Sequence, residues 1–214
     1  MFVTVRTAAS DKQRYFKPFD RFPLEILSFT KPAISLLYRF APGLYKRFAM
    51  LNVYTVSFFG HRNLSDMFAL ENRLMSLLRE LILNKEYVEF LVGRDGDFDQ
   101  LCSSTIRTAI ERYACGNASH ILVLPYERAD YRDNTDSYEQ YYDEIRICAK
   151  AAQAYPKAAI LERNRQMINQ SDLVICGVEH KSGGAYRAVR YAEQQGKIII
   201  NLFDDAETEK EKHQ

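Results

Sequence analysis

The sequence has no tryptophan and only four cysteines, none of them at the C-x-x-C spacing. Cys102, Cys115, Cys148 and Cys176 stand singly, with no histidine pair nearby. Structural zinc sites gather cysteine and histidine ligands at short spacings, so no zinc motif is present and no metal site is predicted. Three of the cysteines fall within apolar or helical patterns, which favours buried, reduced thiols in a cytoplasmic protein over disulfides.

Long apolar segments are also missing. No run reaches the roughly 18 to 20 residues that a membrane-spanning helix needs. The start of the chain, MFVTVRTAASDKQR, lacks the cationic region and apolar core of a secretory signal. Apolar content of 47% and charged content of 27% are ordinary for a globular protein, which we expect to be cytoplasmic.

Two common nucleotide-binding fingerprints are absent. The sequence contains no G-x-x-x-x-G-K-[ST] loop, and no G-x-G-x-x-G follows the first predicted strand. A nucleotide site in this protein would therefore need other residues.

Charge and proline are unevenly distributed. Residues 1–50 contain nine lysines and arginines against three acidic residues, and they hold four of the six prolines. The remaining residues carry twenty basic against twenty-five acidic side chains. We therefore predict a basic, Pro/Phe-rich extension (1–50), an α/β domain (51–204) and a charged, solvated tail (205–214).

The extension has three interpretations. Its prolines interrupt long helices, which favours a loosely packed or disordered segment. Residues 34–48 mix Leu, Tyr and Phe with basic residues, so contact with a membrane surface is a less favoured alternative. The third interpretation takes Met50 as the natural start, because a regular fold begins directly after it.

From residue 52 onward, short apolar runs alternate with helical patterns. Strands are predicted at 53–59, 88–92, 121–124, 173–178 and 197–202, with amphipathic helices between most of them. Continuously apolar strands alternating with helices indicate a mostly parallel sheet of about five strands, covered on both faces in a three-layer α/β sandwich. Residues 126–155 are rich in Tyr, Asp and Glu, and we interpret them as an insertion with a loop and one helix at 138–152.

In a parallel sheet, the loops that follow the strands meet at one edge, where ligands bind. This places Gly60-His61-Arg62, the loop 93–99 and the loop 179–185 on one rim. The helix that enters the fourth strand starts at the same rim, so the segment Arg163-Asn164-Arg165 is expected there as well.

Several rim residues suit an anion. A guanidinium such as that of Arg62, Arg163 or Arg165 can contact a phosphate through two hydrogen bonds, although a surface arginine after a turn is equally compatible with the sequence. Gly183 and Gly184 open a helix and leave backbone N–H groups free for an anion, and Ser182 adds a hydroxyl. A simple tight turn remains the alternative.

His61 and the acidic loop allow other chemistry. His61 could bind a ligand or transfer a proton, or it could cap the turn. Asp95, Asp97 and Asp99 could bind a cation, accept hydrogen bonds from ribose or activate water. The bidentate glutamate of an EF-hand is missing, so a calcium loop is rejected. The plainer alternative is that one aspartate caps the helix while the others are exposed.

Four segments, SFFGHRN, VEFLVGRDGDFDQL, RNRQMINQSDLVICGV and SGGAYRAVRYAEQQGKIIINL, together resemble the SLOG superfamily. This Rossmann-like group contains the Lonely Guy phosphoribohydrolases, the DprA DNA-processing proteins and small bacterial proteins related to YpsA. The resemblance covers roughly residues 52–203 and is closest to the YpsA-like branch.

The resemblance implies a Rossmann-like domain that binds a nucleotide or a derivative at the rim. Gly60 and Arg62 would match the first ligand loop, Asp97 and Asp99 the second, and Gly183 and Gly184 the phosphate-binding glycines. The hydrolases of the group carry P-G-G-x-G-T-x-x-E, whose glutamate is catalytic. Here the proline, third glycine and threonine are missing, and no carboxylate occupies the place of the glutamate.

We therefore predict a nucleotide-binding sensor or regulator whose ligand contacts come from Gly60, His61, Arg62, Gly93, Arg163, Arg165, Ser182, Gly183 and Gly184. The alternative is a hydrolase of an N-glycosidic or phosphate bond, with Asp97 or Asp99 as the base. No motif in the sequence requires a cofactor, and none is identified. The expected partner is a small nucleotide-like ligand, with a homo-oligomer as a further candidate. Nucleic acid is not expected, because residues 51–214 are acidic on balance.

Overall fold

Seven strands form one sheet in the computed structural model, which describes residues 2–5, 52–64, 66–148 and 155–204. All of these residues except Asn52 belong to one compact unit. The strands are β1 (Phe2–Val5), β2 (Val53–Gly60), β3 (Tyr87–Val92), β4 (Ala118–Leu124), β5 (Glu144–Cys148), β6 (Leu173–Gly177) and β7 (Ile198–Asn201).

The order of the strands across the sheet is β1-β5-β4-β3-β2-β6-β7. Six strands are parallel, and β1 pairs antiparallel with β5 at the edge. The chain moves outward from β2 through β3, β4 and β5, and then returns to place β6 on the other side of β2. The strand order thus reverses between β2 and β6, which is where Rossmann-like sheets form their ligand crevice.

Helices cover both faces of the sheet, as the sequence predicted. They are α1 (Met67–Asn84), α2 (Asp97–Tyr113), α3 (Ala129–Asp133), α4 (Thr135–Tyr141), α5 (Pro156–Gln170) and α6 (Gly183–Gln194). On one face, a large core joins the sheet to α1 and α2 through residues such as Leu74 and Ile106. On the other face, Met167 of α5 and Ala192 of α6 pack on the sheet in a second core. The prediction of a mostly parallel Rossmann-like sandwich is therefore confirmed.

The stretch 126–155 is not an insertion, because it contains an integral strand of the sheet. The helix expected at 138–152 is wrong: α4 ends at Tyr141 and β5 follows it. Arg146 of β5 accounts for the strand, since its guanidinium donates two hydrogen bonds to Glu89 of β3, at 2.9 and 2.6 Å, and two to Glu144, at 3.1 and 2.8 Å. The bonds to Glu89 lie across the sheet, and those to Glu144 join residues two apart on one face of β5.

The N-terminal strand is a second difference from the sequence prediction, which placed all strands after residue 50. Val3 lies opposite Ile147 in the register of β1 and β5. The amphipathic segment 34–48, Met50 and the tail 205–214 lie outside the described residues. Within the described part of the chain, no helix is long and apolar enough to cross a membrane.

The Phe98 ring fixes the junction between β2 and β6. Gly60 and Gly177 lie opposite each other in the register of these strands, and Phe98 is fully buried. A Cβ atom at either glycine would overlap the Phe98 ring. The His61 N–H also donates to the Gly177 carbonyl, at 3.1 Å, so the ring and this bond hold the two strand ends together.

We predict that Gly60→Ala lowers the free energy of unfolding by about 1–3 kcal/mol, the usual cost of overpacking a filled core. Gly184→Ala is the matched control, because a Cβ at that helical position meets no atom within 4 Å. Its stability should be unchanged or slightly higher, since alanine favours helices. Urea denaturation followed by circular dichroism measures both, and a Gly60→Ala protein as stable as the wild type would contradict the packing argument.

Candidate functional site

A cavity of about 640 Å³ lies at the carboxyl edge of β2, next to the point where the strand order reverses. We call it the rim cavity. The loops after β2 and β3 contribute to its lining, as do α5 and the first turn of α6. The residues that line it include Gly60, His61, Arg62, Gly93, Asp95, Asp99, Ala158, Ile160, Leu161, Arg163, Asn164, Gly183, Gly184, Ala185 and Arg187. Eight of the eleven site residues predicted from the sequence thus meet in one cavity.

The start of α6 provides an anion-binding wall. Gly183 has a φ of 86°, a left-handed conformation that glycine adopts readily, and side chains at Gly183 or Gly184 would meet no atom within 4 Å. The backbone at the helix start is therefore open on the cavity side, and the positive end of the helix dipole favours an anion there. Arg187 lies one turn further along α6, and Arg62 also lines the cavity. Within the described part of the chain, neither arginine forms an ion pair.

The opposite wall combines a carboxylate and a buried arginine around Gly93. A Cβ atom at Gly93 would lie 2.6 Å from Oδ2 of Asp99 and 2.7 Å from Nη1 of Arg163. Only glycine leaves room for both groups. Arg163 is 5% exposed, and its Nη1 donates to the Val123 carbonyl of β4, at 3.0 Å. The Asp95 N–H donates to Oδ2 of Asp99, at 2.8 Å, which fixes the carboxylate.

Burial raises the pKa of the Asp99 carboxyl above its ordinary value, while the charge of Arg163 and the Asp95 N–H act in the opposite direction. Two further polar atoms here lack partners: Nε of Arg163 and Oδ1 of Asn164 are buried and form no hydrogen bond within the described residues. Buried polar atoms are normally hydrogen-bonded. A buried donor and a buried acceptor thus lie at this wall without a hydrogen-bond partner among the described residues.

His61 connects two rim loops. The His180 N–H donates to its Nε2, at 3.3 Å, and the two imidazole rings stack with centroids 4.2 Å apart. Burial and the neighbouring His180 lower the pKa of His61 below its ordinary value. Because Nε2 accepts a hydrogen bond, the ring is neutral in this arrangement. His61 therefore tethers the loop after β6 while also facing the cavity.

Three predicted residues do not line the rim cavity. Asp97 holds the loop after β2: its N–H donates to the Arg62 carbonyl, at 2.8 Å, and its Oδ2 accepts from the Leu64 N–H, at 3.3 Å. Ser182 is the N-cap residue of α6, without a capping bond from its side chain. Arg165 stacks on Tyr191, with its Cζ 5.6 Å from the ring centroid.

The misplacement of Arg165 has a geometric reason. Residues two apart on a helix point about 200° away from each other, so Arg163 and Arg165 cannot reach the same cavity. In addition, α5 begins at Pro156, which puts Arg163 about two turns into the helix and not in its first turn.

Sequence reasoning did not assign several residues that line the cavity. Arg187 follows Gly183 by four residues, a spacing that puts both on one face of α6 and could have revealed it. Asp95 stood in the acidic loop, and its Oδ1 accepts from Nη1 of Arg128, at 2.5 Å, so its charge is compensated. Ile160 and Leu161 form an apolar side that no motif marks. Within the described residues, no group of three or more His, Cys, Asp or Glu is placed to hold a metal ion.

The structure thus defines a Rossmann-like α/β protein with a ligand-sized cavity at the switch point of its sheet. No protein-family model matches the sequence, and no curated protein matches it. A solved structure of DNA processing protein A (DprA) from Streptococcus pneumoniae is similar, with a TM-score of 0.51 and 14% identity over 69% of this chain and 49% of that chain.

DNA processing protein A from Helicobacter pylori, a structure described for its single-stranded DNA binding mode, aligns with a TM-score of 0.48 and 20% identity, over 68% of this chain and 63% of that chain. The chain spans less than two thirds of either protein. These likenesses concern the fold.

The comparison corrects one expectation, that nucleic acid is not a partner. A similar fold occurs in DNA processing protein A from Streptococcus pneumoniae. The expectation came from the summed charge of residues 51–214, which says little about one edge of the sheet. Among the described residues that line the rim cavity, three arginines, Arg62, Arg163 and Arg187, accompany two acidic residues, Asp95 and Asp99.

We predict that the Asp99 carboxyl titrates above the ordinary range of aspartate and that Arg163→Met raises its pKa further, because a nearby positive charge favours the ionised form. Carbon-13 NMR of the side-chain carboxyl across a pH series measures both values. Arg165→Met on the same helix is the control and should leave the Asp99 pKa unchanged. Since Arg163 is buried, Arg62→Met supplies a second test and should give a smaller rise of the same sign. An Asp99 pKa that stays unchanged in both Arg163→Met and Arg62→Met would contradict the assigned electrostatics.

Proposed function

We propose that the protein binds a nucleotide or a nucleotide derivative in the rim cavity, as a sensor or regulatory protein. The observation that carries the proposal is the open N-terminus of α6, where Gly183 and Gly184 line the same cavity as Arg62 and Arg187. Neither guanidinium group forms an ion pair with another described residue. Backbone N–H groups at a helix start and planar guanidinium groups are the two donors that proteins use most for phosphate.

The rest of the cavity suits the remainder of a nucleotide. Asp99 and Asn164 line the cavity and carry polar groups that could bind the hydroxyls of a ribose. Ile160 and Leu161 supply an apolar surface. A volume of about 640 Å³ falls within the usual range for small-molecule sites.

We further propose membership in the SLOG superfamily. Its support is the four sequence segments together with the fold shared with DNA processing protein A. The assignment to the YpsA-like branch and a cytoplasmic location remain predictions from the sequence. Because that fold occurs in a DNA-processing protein, the nucleotide could also be part of a single strand.

We predict that a nucleoside phosphate binds to the wild type and that Arg62→Ala and Arg187→Ala each weaken it roughly 10- to 100-fold, the effect of losing a charged hydrogen bond. Isothermal calorimetry with nucleoside monophosphates, NAD and ADP-ribose measures this. Arg165→Ala is the matched control and should bind normally, because that side chain stacks on Tyr191 outside the cavity.

The same variants distinguish a free nucleotide from a nucleic-acid strand. If the ligand is a free nucleotide, a single-stranded oligonucleotide should bind no better than the monophosphate. If it is a strand, affinity should rise with oligonucleotide length and fall with salt, as counterion release requires. Failure of every phosphate-bearing probe to bind folded protein, or equal binding by all three variants, would refute the proposal.

A second candidate function is hydrolysis of an N-glycosidic or phosphate bond, and the environment of Asp99 favours it. Burial raises the pKa of this carboxyl, and it lies in the cavity beside Arg163, whereas Asp97 is bonded to the Leu64 N–H outside the cavity. A carboxylate with a raised pKa is a stronger base than an ordinary aspartate. Of the two aspartates, Asp99 is therefore the better candidate.

If hydrolysis occurs, Asp99→Asn should reduce turnover by about 100-fold or more, the usual contribution of a general base. Asp97→Asn should reduce turnover less, because Asp97 only holds the loop after β2 and does not line the cavity. Product release from a nucleotide panel, followed by chromatography, gives the rates. If the wild-type protein binds a nucleotide but releases no product, the hydrolytic function is refuted and the binding function stands.

A further inference from the structure

A second, larger cavity adjoins the rim cavity. It has a volume of about 1080 Å³ and lies between the start of α1, the start of α2 and the helices α3 and α4. Its lining includes Tyr138, Tyr141 and Tyr142, and we call it the tyrosine cavity. The two cavities share Gly93 and Asp99. No residue predicted from the sequence as a site residue lines the tyrosine cavity except these two.

Phe68 and Tyr141 provide most of the accessible aromatic surface of the tyrosine cavity, because Tyr138 and Tyr142 are buried, at 5% and 8% exposure. Phe68 in the first turn of α1 is 76% exposed although it lines the cavity, and Met67 beside it is 44% exposed. Apolar side chains exposed together at the opening of a cavity are typical of ligand sites, because their burial by a ligand releases water. Tyr138 is covered by Arg94, whose Cζ lies 4.0 Å from the ring centroid. The planar guanidinium thereby extends the stacking surface.

The charges of the tyrosine cavity do not favour a phosphate. Its arginine, Arg94, faces Asp130 at 3.8 Å. Asp130 also accepts hydrogen bonds from Tyr138 and Arg128, at 2.9 and 3.1 Å. Glu71 and Asp99 also line the cavity, so three carboxylates accompany one cation among its described lining residues. Acceptor groups beside aromatic rings suit an uncharged planar ligand that carries N–H donors.

We propose that the tyrosine cavity binds a nucleobase, as the free nucleoside or the base of a larger ligand, by stacking on Phe68 and by donation from exocyclic amino groups to carboxylates such as Glu71. The cavity recognises the base without a phosphate. This site is distinct from the phosphate wall at α6, and it does not depend on the proposed function of the rim cavity.

The test uses calorimetry with adenosine, guanosine, cytidine and uridine, which contain no phosphate. The three nucleosides with an exocyclic amino group should bind more tightly than uridine, which lacks one. Phe68→Ala should weaken binding roughly 5- to 100-fold, the range found for losing a stacked aromatic. Glu71→Gln should reduce the preference over uridine. Both side chains are exposed, so the fold should tolerate the changes.

Two controls make the result specific. Leu83→Ala removes an exposed apolar side chain from the other end of α1, where it is 58% exposed, and should leave nucleoside binding unchanged. Arg187→Ala should also leave it unchanged, although it weakens phosphate ligands in the rim cavity. No nucleoside binding by folded protein, equal binding by Phe68→Ala and wild type, or an equal loss in Arg187→Ala would overturn the proposal.

Discussion

The packing of Phe98 against Gly60 and Gly177 is the contact on which the rim depends. The ring fills the space that two side chains would otherwise occupy at the ends of β2 and β6. It thereby seats the first turn of α2 directly on the switch point of the sheet. As a result, the side chains on either side of Phe98 contact different parts of the rim. Asp97 reaches the loop after β2, whereas Asp99 reaches Gly93 and Arg163.

The same packing explains why apparently similar motif residues differ in role. The sequence presented Asp95, Asp97 and Asp99 as three equivalent carboxylates at alternate positions. In the structure, Asp95 pairs with Arg128, Asp97 bonds to the loop after β2, and Asp99 lies beside Gly93 with a pKa raised by burial. Asp99 is buried because it lies next to Phe98 in the chain. A substitution that weakens the packing of the Phe98 ring should therefore lower the pKa of Asp99 towards the ordinary value of aspartate.

Sequence reasoning predicted what depends on local pattern. Apolar runs located five of the strands, and the rule that parallel strands bring their following loops together located most of the rim cavity. It failed where the decisive partner was distant. Arg146 gives β5 its place through Glu89, which lies 57 positions away, and β1 pairs with β5 across most of the chain. Arg165 was a different failure, because helical geometry alone separates it from Arg163.

The position of Asp99 between two cavities links their electrostatics. It lines both, and it is the acidic residue that opposes Arg163 in the rim cavity and adds to Glu71 in the tyrosine cavity. A phosphate bound at α6 adds negative charge near Asp99 and favours its protonated form. Protonation removes an acceptor but creates an O–H donor in the tyrosine cavity. The two cavities are therefore expected to influence each other through the ionisation of one side chain, and linkage requires that influence to be mutual.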